Sequence, residues 1–274
     1  MKVIRKYMDV DEFFRRANKS EIPAENFDRD VFYNQFDNFH GNQNEVYRRY
    51  AEHDVESYAG TMSTMVDSVN LDYMYERRWE FRSRLDCGDE VDVDRLMECE
   101  YETCWNGMRR ALRGRQSVRI FVNFGGSFRR SPEELSIPGA IATSVAQALE
   151  TIGIGADIYG VSGACECADN VTVMSIVKIK GVDQYADFGM IGYVCGDSHV
   201  FRNSGFINWI ETCSENGIKP NRNLGYEASM SAKNLGIDDD ELGTCVIVPQ
   251  IFEVSKAVEW LRGSFASILG KFKQ

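Results

Sequence analysis

The sequence predicts an α/β protein with a Rossmann-like sheet and a helical N-terminal addition. From residue 118 onward, short apolar runs typical of strands alternate with segments of helical periodicity. The first hundred residues instead carry charged and aromatic residues at helical spacing. We therefore expect residues 1–115 to be mainly helical and residues 116–274 to form the α/β core. No flexible linker separates the two parts, so one integrated fold is expected.

Helical spacing of apolar residues predicts three helices in the N-terminal part, at residues 9–17, 44–51 and 58–67. Asp9 immediately precedes the first apolar residue of the first helix and is expected to act as its N-cap. Residues 18–44 are rich in Asn, Asp and Phe, which predicts an irregular segment. Residues 93–112 again have helical periodicity, so we expect a further helix that leads into the core.

Four strands and three helices are expected in the core. Apolar or alternating runs predict strands at residues 118–124, 156–161, 171–179 and 245–248. Amphipathic spacing predicts helices at residues 137–152, 206–213 and 254–269. The last helix is expected to pack on the core. Its apolar residues also leave open a docking surface or a homo-oligomer interface.

The composition is that of a globular protein, with 274 residues, 43% of them hydrophobic and 27% charged, and a net charge of −11. The N-terminus lacks the apolar segment of a signal peptide, and no run approaches the roughly 18 apolar residues of a membrane span. We therefore expect a cytoplasmic protein with no membrane partner. The eight cysteines match no paired C-x-x-C zinc pattern. Buried free thiols are expected, and neither a metal nor a cofactor is predicted.

Positive charge is concentrated in one window of the chain. Between Thr103 and Pro132 there is no Asp or Glu, and seven arginines are present. The guanidinium group binds phosphate bidentately and stacks on bases, and phenylalanines beside the glycines offer further stacking platforms. We therefore predict that the window binds single-stranded DNA. The predicted contact residues are Arg109, Arg110, Arg113, Arg115, Phe124, Phe128, Arg129 and Arg130.

The two ends of this window support the prediction unequally. Residues 109–115 are expected at the end of a helix, where a run of charge is commonly a solvated face that pairs with acidic residues elsewhere. Residues 124–130 follow a core strand, at the point where an α/β sheet opens toward ligands. The functional prediction therefore rests mainly on residues 124–130. A second basic patch, residues 77–84, also interleaves arginines with aromatic residues.

The Gly125-Gly126 loop matches neither the G-x-x-x-x-G-K-[ST] nor the G-x-G-x-x-G motif, so nucleotide hydrolysis is not predicted. Asp197 and His199 suggest nucleophile chemistry, but near neighbours in sequence rarely face each other. No G-x-S-x-G elbow is present either. We therefore predict a protein that is not an enzyme. An enzyme acting on a nucleotide or phosphorylated metabolite at the glycine loop is the third class of function.

The strand, loop, helix and second strand at residues 119–162 resemble the start of a von Willebrand factor A-type domain. In that family the first strand ends in D-x-S-x-S, which holds a divalent metal. The matching positions here are Asn123, Gly125 and Ser127, so only the serine agrees. Without the aspartate the charge that a hard cation needs is missing. The resemblance therefore implies the fold without its metal, and a metal-less protein-interaction module is the alternative function.

The strand, glycine loop and helix at the centre of the chain are also similar to those of bacteriophage proteins. Together with the acidic composition and the arginine and aromatic patches, this general character resembles the single-stranded-DNA-binding RNA polymerase cofactors of N4-related phages. The resemblance implies regulation of transcription, with single-stranded DNA and RNA polymerase as partners and the host cytoplasm as the location.

Overall fold

The computed structural model describes residues 2–19, 43–69, 79–85, 90–97, 104–110, 117–125, 130–167, 171–182, 184–218, 230–238 and 244–272. The strands within these ranges are β1 (Lys2–Tyr7), β2 (Trp79–Leu85), β3 (Glu90–Val91), β4 (Trp105–Arg110), β5 (Ser117–Asn123), β6 (Gly155–Cys167), β7 (Val171–Lys180) and β8 (Cys245–Ile247). The helices are α1 (Val10–Lys19), α2 (Gln43–Ala51), α3 (Glu56–Ser68), α4 (Val93–Met97), α5 (Pro132–Thr151), α6 (Phe188–Gly196), α7 (Phe206–Glu215), α8 (Ala232–Leu235) and α9 (Val254–Phe272), with a π-helical turn at Val200–Gly205.

Five strands form the main sheet, in the order β1-β7-β6-β5-β8. β5 is parallel to β6 and β8, whereas β7 is antiparallel to β6 and parallel to β1. β5, β6 and β8 therefore end on the same side of the sheet, which we call the carboxyl edge. α5 connects the parallel strands β5 and β6 and packs on both. A mixed sheet covered by helices confirms the predicted Rossmann-like α/β fold.

Apart from the helix at residues 93–112, the elements predicted from local pattern are present. The four core strands are β5 to β8, the three core helices are α5, α7 and α9, and the three N-terminal helices are α1, α2 and α3. Asp9 caps α1 as expected, since its Oδ1 accepts a hydrogen bond from Glu12 N at 2.8 Å. α9 packs on the core through Ala257, Leu261 and Ile268, all of which are buried.

The N-terminal part contributes directly to the main sheet and its core, which the sequence did not predict. β1 pairs with β7 from Lys2 opposite Thr172 to Tyr7 opposite Val177. The aromatic side chains of α1 belong to the same apolar cluster as β5. β1 escaped prediction because its pattern is interrupted by basic residues, as is common in strands that border a sheet.

The helix expected at residues 93–112 is wrong over residues 105–110, which form a strand. Between residues 93 and 112 the structure has the short helix α4 and then the strand β4. β4 lies in the middle of a three-stranded antiparallel sheet, in the order β2-β4-β3, which we call the small sheet. Pairing on both sides stabilises an extended chain in β4, and such non-local pairing overrides local helical periodicity.

The start of α5, next to the carboxyl edge, is fixed by a capping box. Ser131 Oγ accepts a hydrogen bond from Glu134 N at 3.3 Å, and Glu134 Oε2 accepts one from Ser131 N at 2.9 Å. Pro132 occupies the first helical position, where a missing N–H costs nothing. Ser131 and the first turn of α5 are therefore held in a defined direction.

We expect Ser131→Ala to lower the free energy of unfolding by about 1 kcal/mol, because the N–H of Glu134 loses its acceptor. Ser131→Gly should lower it by only a few tenths, about 0.3 kcal/mol, since glycine leaves the end of the helix open to water. Urea denaturation of the two variants checks this. Equal losses would show that the hydroxyl does not cap α5.

Candidate functional site

The structure divides the arginine window between the two ends of β5. Arg109 and Arg110 end β4, in the small sheet, ahead of the amino end of β5. Arg130 follows the carboxyl end of β5 and directly precedes the N-cap of α5. The remaining predicted contacts, Arg113, Arg115, Phe128 and Arg129, lie outside the described residues. The expected position of Arg109 and Arg110 at the end of a helix is wrong, because both belong to a strand.

The small sheet brings two basic segments together that lie apart in the sequence. β2 takes most of the patch at residues 77–84, and β4 takes the first arginines of the window. Their antiparallel register sets Trp79 opposite Arg110 and Glu80 opposite Arg109. Opposite positions of such a pair lie on the same face of the sheet. One short sheet therefore carries arginine and aromatic positions from both segments.

Phe124 is not available to stack on a base, so this part of the prediction is wrong. Its side chain is 3% exposed. Its ring lies 5.9 Å from that of Phe13 and 6.2 Å from that of Phe201, each in an edge-to-face arrangement. Phe124, the first residue after β5, thus points into the core, and its buried ring does not contact a ligand at the surface.

The backbone after Phe124 is engaged within the protein. Gly125 N donates to Asn123 Oδ1 at 2.7 Å, and Gln250 Nε2 donates to Gly125 O at 3.0 Å. Asn123 thus stands where a von Willebrand factor A-type metal site has aspartate, and its side-chain amide closes a local turn. Among the described residues, no group of three or more His, Cys, Asp or Glu side chains is placed to hold a metal ion.

Arg130 is held by two neighbours at the carboxyl edge. Its guanidinium carbon lies 3.7 Å from the centre of the Phe252 ring, in cation–π geometry. Its Nη1 is 3.9 Å from Glu134 Oε1, and its side chain is 32% exposed. These contacts orient the guanidinium near the start of α5 and partly neutralise its charge.

A polar cluster that sequence reasoning dismissed lies between α6 and the π-helical turn. We call Arg49, Tyr58, Asp197 and His199 the His199 cluster. Asp197 Oδ1 is 2.8 Å from His199 Nδ1 and also accepts a hydrogen bond from His199 N at 2.8 Å. Tyr58 donates to the other oxygen of Asp197, and Arg49 Nη1 donates to Tyr58 Oη at 3.2 Å.

The expectation that Asp197 and His199 do not face each other is therefore wrong. A carboxylate two residues before a backbone N–H readily closes a local turn, and this turn carries the imidazole to the same oxygen. The two-residue spacing between Asp197 and His199 was visible in the sequence. Tyr58 lies 139 residues away from Asp197, and no local signal predicted its contact.

Hydrogen bonding sets the charge state of the cluster. Burial alone would raise the pKa of the Asp197 carboxyl, but hydrogen bonds from His199 and Tyr58 stabilise the carboxylate more and hold that pKa below its usual value. The hydrogen bond to Asp197 raises the pKa of His199 against the opposing effect of desolvation. Asp197 is 8% exposed, whereas the His199 side chain is 49% exposed. The pair is thus a buried carboxylate beneath an accessible imidazole.

Packing places the His199 cluster near the carboxyl edge of the sheet. A Cβ on Gly196, the residue before Asp197, would lie 3.4 Å from Pro132 O at the start of α5. A Cβ on Gly125 would lie 3.1 Å from the ring of Phe201, two residues after His199. The cluster therefore adjoins the side of the sheet where parallel strands end and ligands commonly bind.

Residues 1–268 match the family described as a domain of unknown function, DUF7192. The chain belongs to this family. No curated protein and no solved structure matches it. The DUF7192 family accounts for nearly the whole chain, so the main sheet and the small sheet both fall within it.

Two further properties of this DUF7192 chain bear on its function. In the part of the chain that the structure describes, no helix has both the length and the apolar character needed to cross a membrane. The four cysteines with described side chains, Cys104, Cys195, Cys213 and Cys245, are free and buried, as predicted. Burial raises the pKa of the Cys195 thiol to about 12, so it is protonated and unreactive at neutral pH.

Proposed function

We propose that the protein binds single-stranded DNA through the small sheet and acts as a cofactor of an RNA polymerase. The antiparallel pairing of β2 with β4 carries this proposal, because it unites two basic, aromatic segments. Positions opposite each other, or two apart along a strand, share a face of the sheet. One face accordingly holds the positions of Trp79, Phe81, Met108 and Arg110.

This composition suits a single strand better than a duplex. Bases of a single strand stack on aromatic side chains, and arginines bind the phosphates or stack in turn. Sheets with aromatic residues on one face are a recurring platform for such binding. A duplex offers its phosphates but not its base faces. The aromatic positions therefore favour unpaired DNA.

The charge distribution supports the same surface. The net charge is −11, so most of the protein repels nucleic acid. Several arginines outside the window already pair with carboxylates: Arg5 and Arg16 with Glu211 and Glu215, Arg15 with Asp11, and Arg48 with Glu52. The paired carboxylates largely neutralise the positive charge of these arginines. The arginine window, which has no acidic residues, is thus better suited to bind the phosphates of DNA.

The role in transcription rests on the phage resemblance. A protein that holds a single strand at an opened promoter has to contact the polymerase through another surface, because the small sheet is occupied by DNA. The proposal locates the protein in the cytoplasm of the host cell. Mixing the protein with its polymerase, with and without a single-stranded promoter segment, tests this part separately from binding.

We expect labelled single-stranded oligonucleotide to bind more tightly than a duplex of the same length, with log affinity falling against log salt at a slope near −3 for about four phosphate contacts. Arg109→Ala/Arg110→Ala should weaken binding by roughly 3- to 10-fold at 0.1 M salt and make the slope shallower by about 0.7, because only Arg110 shares the face of Trp79 and Phe81. Fluorescence anisotropy titrations over a series of salt concentrations measure both.

The matched control is Arg15→Ala/Arg48→Ala, which removes two arginines of α1 and α2 that pair with Asp11 and Glu52. It changes the net charge equally and should leave affinity within about twofold. Arg129→Ala/Arg130→Ala tests the loop at the carboxyl edge. If this loop variant loses affinity and the β4 variant does not, the small sheet is the wrong surface. A parent protein that binds no oligonucleotide would favour the metal-less interaction module instead.

A further inference from the structure

A cavity of about 970 Å³ lies beside the main sheet, at the edge opposite the carboxyl edge. β1 and β7 end at this edge, because both run antiparallel to β6, and Met8 and Ile179 at their ends line the cavity. We call it the tyrosine cavity, after Tyr47, Tyr50 and Tyr185 in its lining. A cavity of this volume is large enough to enclose a small molecule.

Two aromatic rings form one wall of the tyrosine cavity. Tyr47 and Tyr50 are one turn apart on α2, and their rings lie 6.2 Å apart at an angle of 48°. The buried ring of Phe14 stacks on Tyr50 at 4.6 Å and holds that ring in place from the side of the core. Both tyrosines are half-buried, so the remaining part of each ring is accessible to a ligand. The face of such a ring attracts a cation.

Two helix caps supply carboxylates to the same cavity. Asp9 accepts a hydrogen bond from Glu12 N at 2.8 Å at the start of α1. Asp187 accepts one from Met190 N at 2.9 Å at the start of α6. A backbone N–H is neutral, so each carboxylate keeps its full charge, which exceeds the roughly +0.5 charge of a helix N-terminus. His53 Nε2 lies 3.6 Å from Asp187, and its exposed side chain offsets that charge only weakly.

The lining disfavours an anion. Lys178 is engaged by Asp157, whose Oδ1 lies 2.9 Å from its ammonium. The helix N-termini of α1 and α6, which would otherwise attract an anion, are each capped by an aspartate. Asp11, in the first turn of α1, adds a third carboxylate to the lining and pairs with Arg15. The charges of the cavity therefore favour a cation.

We propose that the tyrosine cavity binds a small organic cation that carries an ammonium group. The ammonium donates to a carboxylate of Asp9 or Asp187, and its carbon chain lies against the rings of Tyr47 and Tyr50. A bare metal ion needs several oxygen ligands at one point, and no group of three or more such side chains is placed to hold one among the described residues. The inference goes beyond the proposed function, since it does not involve the small sheet.

Two sources supply an ammonium group of this kind: a free diamine or polyamine, and the lysine side chain of another protein. The first probe is putrescine, and the second is N-acetyl-lysine methylamide, which represents a lysine within a chain. Butanediol with the carbon chain of putrescine is the uncharged control. Isothermal titration calorimetry measures all three. Tighter binding of putrescine identifies a free amine as the ligand, and tighter binding of the lysine derivative identifies a protein side chain.

Asp187→Asn tests the carboxylate, because asparagine caps a helix as well as aspartate does and only the charge is lost. We expect this variant to bind the preferred amine about five- to tenfold more weakly, since a hydrogen bond between charged groups is lost. The matched control is Asp92→Asn. Asp92 caps α4, away from the cavity, by accepting from Arg95 N at 3.3 Å. This control changes the net charge equally and should keep the parent affinity within about twofold.

Tyr47→Leu should weaken binding by about two- to fivefold through loss of the aromatic face, whereas Tyr47→Phe should bind as the parent protein does. Urea midpoints show whether each variant is folded, and Asp9→Asn replaces Asp187→Asn if the latter unfolds too readily. The inference is overturned if neither amine binds in a saturable way, if butanediol binds as tightly as putrescine, or if Asp92→Asn loses as much affinity as Asp187→Asn. No DNA is present in these titrations, so their failure is separate from failure of the proposed function.

Discussion

Replacing Lys180 with methionine is expected to lower the free energy of unfolding by about 3–5 kcal/mol. Its side chain is 1% exposed at the end of β7. The ammonium donates to Ala156 O at 2.9 Å, to Gly181 O at 3.0 Å and to the carboxylate of Glu150. Methionine fills the space but removes the ammonium that pairs with the Glu150 carboxylate, which is 13% exposed, and that donates to the two carbonyls.

Lys178 offers a matched control two residues earlier on the same strand. Its side chain is 35% exposed and pairs with Asp157 at 2.9 Å, so Lys178→Met should cost about 1 kcal/mol or less. Lys180→Met/Glu150→Leu should recover most of the loss, because the buried carboxylate is removed together with the ammonium. Urea denaturation measures all three variants. If Lys180→Met were as stable as Lys178→Met, the ammonium of Lys180 would have to be solvated in the parent protein.

The parts of the fold that could be predicted have local signals. β5 to β8 are apolar or alternating runs, and α5 is opened by a serine, a proline and a glutamate at the spacing of a capping box. These features act over a few residues, so the sequence shows them directly. Their order along the chain then predicted the Rossmann-like sheet.

The parts that could not be predicted depend on contacts between distant segments. β4 has helical periodicity, yet it pairs with β2 more than twenty positions earlier in the chain, Trp79 opposite Arg110. The His199 cluster likewise needs Tyr58 from α3 to complete the hydrogen bonds of Asp197. In both cases the residue types were noticed in the sequence, but their partners became visible only once the fold had brought the segments together.

Phe124 is a further residue whose neighbours in the fold differ from its neighbours in the sequence. Its neighbours in sequence, two glycines and a pair of arginines, suggested a surface position. In the fold its ring lies over Gly160 of β6, where a Cβ would be 2.9 Å from Phe124 Cδ1. The absence of a side chain at Gly160 thus makes room for the ring. Phe13 of α1, far away in sequence, closes the other side.

Phe124→Ala is therefore expected to lower the free energy of unfolding by about 3–5 kcal/mol, the usual cost of emptying a buried aromatic site. Phe124→Leu keeps most of the apolar volume and should cost about 1–2 kcal/mol.

The leucine variant remains folded, so it separates the effect of packing from the effect on DNA binding. Since the ring does not reach solvent, Phe124→Leu should bind single-stranded oligonucleotide with the affinity of the parent protein. A base stacked on Phe124 would instead contribute roughly 1–3 kcal/mol, and its loss would weaken binding by about fivefold or more. Such a loss in a variant of nearly unchanged stability would return the loop after β5 to the DNA-binding surface.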